Sequence, residues 1–89
     1  MKNIKRWTVV FRTLSNVNRL KIIEMLLGGQ KMNVSEITRS LGVSFKSTSN
    51  HLAILKNLDI VESYGKDGHV FYFINQNMSK DFHKTIHLL

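Results

Sequence analysis

The sequence predicts a mainly α fold with a small β-hairpin, its elements in the order α-α-α-α-β-β-α. Three observations carry that prediction. From Ile4 to Leu58 apolar residues recur at steps of three and four, the spacing of helix faces. The period then changes, because Ile60 to Tyr64 and His69 to Ile74 are rich in β-branched and aromatic residues and flank Gly65-Lys66-Asp67-Gly68. Beyond the polar stretch Asn75 to Ser79, Phe82 and Ile86 return to helical spacing.

Each element has its own signals. In the first helix Ile4, Trp7, Phe11 and Leu14 form an apolar face, with Lys2, Lys5 and Arg12 opposite. Ser15 or Asn16 can cap a second helix, whose Val17, Leu20, Ile23 and Leu27 form its expected inward stripe before Gly28-Gly29 ends it. Lys31-Met32-Asn33 reads as a short polar connection, followed by a third helix that carries Ile37 and Leu41 and stops at Gly42. Ser44 can cap the fourth helix, in which Thr48, Leu52, Leu55 and Leu58 point inward. The next two runs make a β-hairpin, with Asp67-Gly68 supplying a tight reversal.

Composition narrows the function. The 89 residues suffice for one domain, at a size where a second subunit often completes the core. Thirteen Lys and Arg against six Asp and Glu give a net charge of +7, a field that attracts polyanions. The absence of cysteine excludes disulfides, thiolate metal sites and thiol catalysis, and fits a reducing cytoplasm. No apolar run is long enough for a membrane span or a signal peptide, so the expected setting is cytoplasmic, away from membranes. Neither a phosphate-binding glycine loop nor a nucleophile motif with its partners is present, and the expectation is that the protein is not an enzyme and needs no cofactor.

The third and fourth helices, joined by Gly42-Val43-Ser44, form a helix-turn-helix pattern. In that arrangement the first helix braces the second, whose start enters the major groove of DNA. Lys46, Ser47, Ser49 and Asn50 occupy that start, in the stretch opened by Phe45. Asn50 can pair bidentately with adenine, Lys46 can reach guanine or phosphate, and the two serines can serve base edges or backbone oxygens. Any solvated helix also shows polar residues, and the hairpin shifts the balance: placed directly after a recognition helix it reads as a wing, although an ordinary hairpin covering the core would explain much of the same sequence. Lys66 near its tip is the candidate phosphate contact. Together these elements predict a winged helix-turn-helix.

Leu14-Ser15-Asn16-Val17-Asn18-Arg19-Leu20-Lys21-Ile22-Ile23, Val34-Ser35-Glu36-Ile37, Leu41-Gly42-Val43-Ser44, His51-Leu52-Ala53-Ile54-Leu55 and Val70-Phe71-Tyr72 follow one another as a series that resembles the ArsR/SmtB family. The resemblance spans Leu14 to Gln76. It implies a homodimeric, operator-binding repressor of double-stranded DNA, with the first and last helices at the dimer interface. On that basis residues 1–14 and 79–89 are expected to be dimerisation flanks, with Ile4, Trp7, Phe11, Phe82 and Ile86 in contact with a second copy. Two family metal sites are expected to be missing. Asn33-Val34-Ser35 stands where metal-sensing members carry Cys-Val-Cys, and Gln76 and Met78 replace an Asp-x-His pair whose later partners fall past Leu89.

Asp81, His83 and His87 remain as a weak metal candidate, since histidines four apart on a helix share a face suited to zinc or nickel. Such a trio near a chain end is more often a polar, solvated surface than a metal site. His51 and His69 read as packing or DNA-facing residues. Two further functions fit the sequence: a winged-helix protein-interaction module in a larger assembly, and a chromosome-coating protein that binds without sequence preference.

Overall fold

A computed structural model of the chain describes residues 3–88. Lys2, assigned above to the polar face of the first helix, lies outside the described residues. Helix α1 (Ile4–Leu14) is followed by α2 (Val17–Leu27), strand β1 (Met32–Asn33), α3 (Val34–Leu41), α4 (Phe45–Asn57), β2 (Val61–Lys66), β3 (His69–Ile74) and α5 (Lys80–Ile86). The expected helices and hairpin are therefore all present, with one strand added.

Local chemistry sets the boundaries. Asn16 caps α2 by accepting from the backbone N–H groups of Asn18 and Arg19, at 3.0 and 3.1 Å. A capping box starts α3: the Asn33 side chain accepts from the Glu36 amide, and the Glu36 carboxylate accepts from the Asn33 amide. Gly42 ends α3 in the left-handed conformation at φ 69°, where a Cβ would be strained. Two residues later Ser44 caps α4 by accepting from the Ser47 amide at 3.0 Å. After α4, Asp59 sits at φ 58°. The amide of Ile60 then bonds back to the Leu55 carbonyl, and that of Asp59 to Lys56, closing the helix as a Schellman motif.

The antiparallel sheet has the strand order β1-β3-β2. β2 and β3 pair from Val61↔Ile74 to Lys66↔His69, so Gly65 and Lys66 belong to the strand and only Asp67-Gly68 turn. Both turn residues have positive φ, 52° and 76°, as a type I′ reversal requires. The third strand, unanticipated from sequence, joins the wing to the helices through Met32↔Tyr72 and Asn33↔Phe71.

The core lies where these elements meet: Ile22, Ile23 and Leu26 from α2, Ile37 from α3, Leu52 and Leu55 from α4, and Ile60, Val61 and Ile74 around the sheet. Two sequence expectations need correction here. Val17 is 63% exposed and not part of the inward stripe of α2, which runs through Ile22, Ile23 and Leu26. The helix carries apolar residues on more than one side, so spacing alone did not fix which side turns inward. Phe82 and Ile86, expected to face a second copy, are fully buried in the protomer's own core. Helix α5 is also tied to α1 by Arg6, which forms a bidentate pair with Asp81 at 2.7 and 3.1 Å and donates to Ser79 at 2.8 Å. The same guanidinium stands 5.0 Å from the centre of the Phe82 ring.

Candidate nucleic-acid interface

Thr48, Leu52 and Leu55 fix the orientation of α4 by burying one face. Lys46 and Asn50, four residues apart, then project from the opposite face, and both are exposed. Ser47 and Ser49 are half-buried on the two flanks, within reach of the helix's outer surface. The four expected recognition residues thus share the first two turns. Lys66 is exposed at the hairpin end, beside the turn. The exposed start of α4 is also the positive end of the helix dipole, and its first turn contains no acidic residue.

The hairpin is stiffened from both sides. Tyr64 stacks on Phe71 with ring centres 5.5 Å apart, and the Lys31 ammonium lies 5.5 Å from Tyr64 and 5.6 Å from Phe73. On the helix side, Lys56 Nζ donates to Ser63 Oγ at 2.5 Å, tying the end of α4 to β2.

Sequence reasoning assigned no role to Arg19, although it stands within the segment that carried the family resemblance. Its Nε donates to the Thr13 carbonyl at 2.7 Å and its Nη2 to the Arg12 carbonyl at 3.2 Å. Nη1 lies 3.3 Å from Nδ1 of His51, so one guanidinium braces the end of α1 and the middle of α4. Burial, reinforced by the charge of Arg19, holds the His51 imidazole below its ordinary pKa. The neutral ring accepts from Arg19, so His51 is a packing residue of α4. His69 is exposed and lies edge-on to Phe71.

The weak metal candidate is not assembled. Asp81 is committed to Arg6, Ser79 and the Phe82 amide, and the arginine's hydrogen bonds hold its carboxyl well below the usual carboxylate range. His83 and His87 stack with ring centres 4.2 Å apart, and His87 Nδ1 lies 2.7 Å from the carbonyl of His83. Among the described residues no three His, Asp or Glu side chains gather where they would hold a metal ion. Asn33, at the other family metal position, is occupied in the capping box of α3.

On the far side of the core α1 buries Val10 and Thr13 and leaves Ile4 and Phe11 in solvent, 62% and 60% exposed. Trp7 is half-buried and stacks on Phe11 at 5.6 Å. Of the expected interface residues, these three present apolar surface outside the protomer. No helix among the described residues is long and apolar enough to cross a membrane.

A braced helix pair, an exposed second helix and a hairpin wing define a winged helix-turn-helix protein. Residues 16–63 match the model of the bacterial regulatory proteins of the arsR family. The chain belongs to that family. It is 38% identical over 68 residues to the cadmium resistance transcriptional regulatory protein CadC of Listeria innocua, covering 76% of this chain and 56% of the relative. The transcriptional repressor SdpR of Bacillus subtilis is 32% identical over 72 residues, covering 81% of this chain and 79% of its own. The solved structure of HlyU from Vibrio cholerae covers 98% of this chain and 90% of its own, with a TM-score of 0.79 and 30% identity. The chain spans little more than half the length of the cadmium-resistance regulators it matches.

Proposed function

We propose that this protein is a sequence-specific regulator of transcription that binds double-stranded DNA as a homodimer and represses by occupying a promoter. The observation that carries the reading is the outward face of α4, where Lys46 and Asn50 stand free on a helix whose other face is locked into the core. In this reading Asn50 reads a base, Lys46, Ser47 and Ser49 contact base edges or backbone, and Lys66 on the wing neutralises a phosphate. The net charge of +7 adds an attraction for DNA of any sequence. Ile4, Trp7 and Phe11 form the dimer contact, and the protein acts in the cytoplasm. Repression is favoured by the name of SdpR. The cadmium in the name of CadC is not carried over, because Asn33 and Asp81 are held in structural contacts.

The test is binding to fragments of the source genome in competition with random duplex over a range of salt. Specific binding should enrich a few fragments, and affinity should fall with a log-log slope of about −0.9 per neutralised phosphate. A flat salt response would remove DNA as the partner. A steep response with no preferred fragment would leave chromosome coating as the function.

A further inference from the structure

Phe45, the first residue of α4, is 58% exposed. A phenylalanine kept largely in water forgoes the stabilisation that its burial would bring, so its surroundings bear on what covers it. On the helix it lies about 60° to one side of the inward face, on the flank that also carries Ser49 and Lys56. Lys56 reaches Ser63 of β2, so this flank faces the wing. There Phe45 lines a groove of about 220 Å³ together with Ser35, His69 and Val70, the last also exposed. Exposed cations stand at both rims, Lys46 next to Phe45 and Lys66 paired with His69 at the hairpin end. None of the lining residues is acidic. Positive rims suit a nucleic-acid strand, and Phe45, Val34 and Val70 give the groove apolar walls beside the polar Asn33, Ser35 and His69. The major groove displays one apolar group, the 5-methyl of thymine.

We propose that Phe45 is a specificity-determining residue that packs on a thymine 5-methyl group, adding an apolar contact to the polar reading by Lys46 and Asn50. The inference rests on the assignment of α4 as the DNA-recognition helix. It explains an apolar side chain at the point of the helix that enters the groove first, where polar residues alone would serve phosphate contacts. It also makes thymine, beside any adenine read by Asn50, part of each half-site.

The probe is a duplex enriched by the wild-type protein from a random-sequence pool, compared with the same duplex carrying deoxyuridine in place of thymidine. The exchange removes methyl groups and leaves the Watson–Crick edges unchanged. Wild type should bind the uracil copy about fourfold more weakly per methyl lost, and about fifteenfold more weakly where two half-sites each lose one. Phe45→Ala should bind both copies alike, near the wild-type affinity for the uracil copy, while Phe45→Leu keeps a reduced preference for thymine. The side chain is mostly exposed, so these variants should fold, as circular dichroism would verify. Equal wild-type affinity for the two copies, or an undiminished preference in Phe45→Ala, overturns the proposal. In either case the selected duplex is still preferred over random DNA and the DNA-binding reading stands. Failure to enrich any duplex removes that reading and this one together.

Discussion

At the scale of single residues, the outward face of α4 allows the proposed base reading to be tested apart from charge. Asn50 is exposed and makes no contact that holds the fold, so Asn50→Ala should leave stability unchanged. Affinity for the preferred duplex should fall by about 1 to 3 kcal/mol, with random duplex hardly affected. Equilibrium titrations of both duplexes check this, and equal losses on the two would make Asn50 a backbone contact. A second expectation concerns metals. Micromolar zinc, nickel or cobalt should not release bound DNA, since Asn33 caps α3 and Asp81 is paired with Arg6. Release that disappears in a His83→Ala, His87→Ala double variant would show that the stacked histidines bind metal after all.

At the scale of elements, the clasp between α1 and α5 has a defined pH dependence. The folded-state pKa of Asp81 is depressed, so its contribution is complete above the unfolded value and is lost as pH falls through the folded one. Stability from this pair should hold at neutral pH and decline below about pH 4. The Arg6 side chain is 38% exposed, which limits the pair to about 1 kcal/mol after solvent screening. Asp81→Asn should therefore lower the melting temperature by no more than about 5 °C at neutral pH, and the gap from wild type should narrow in acid. A constant gap across that range would mean that packing, and not charge, holds α5.

The elements also show how far sequence reading extends. The helix pair around Gly42 and the reversal at Asp67-Gly68 were legible because their determinants are local: a cap, a left-handed glycine, a change of period. Strand β1 was not, since two residues have no period and its partner lies forty positions away at Tyr72. Phe82 and Ile86 were correctly placed on one helical face, yet spacing four apart looks the same whether that face meets its own chain or another. What decides it is tertiary packing, which buries both side chains in the protomer's own core and aligns Arg6 with Asp81 only after folding. On the candidate interface, the exposure of Lys46 and Asn50 could be foreseen because the turn fixes where α4 begins. The bracing by Arg19 could not, because its partners are backbone carbonyls and a histidine 32 residues away.

At the scale of the whole molecule, the proposed function divides association and reading between the apolar face of α1 and the outward face of α4. Burying Ile4, Trp7 and Phe11 against a second copy would contribute about 25 cal/mol per Å² of apolar area before entropic costs. Phe11→Glu should give a monomer, because an unpaired carboxylate cannot enter an apolar contact cheaply. The variant should remain folded, since the wild-type ring is already 60% exposed in the protomer. Operator affinity should then collapse as two linked half-sites become separate weak events, while salt-sensitive binding to random DNA persists. Light scattering and operator titration on one preparation test both. A folded Phe11→Glu dimer would place the interface elsewhere, and a wild-type monomer with full operator affinity would end the symmetric model.

The short strand β1 makes the wing a lever. Asn33 is hydrogen-bonded in register with Phe71 of β3, and the same residue's side chain holds the Glu36 amide at the start of α3. β1 runs straight into α3, so swinging the hairpin outward would pull on the first turn of α3. Slow amide exchange should therefore end together in the wing strands and in the first turn of α3, as one cooperative opening. A ligand gripping the hairpin tip would, by the same linkage, tighten the helix pair from a distance.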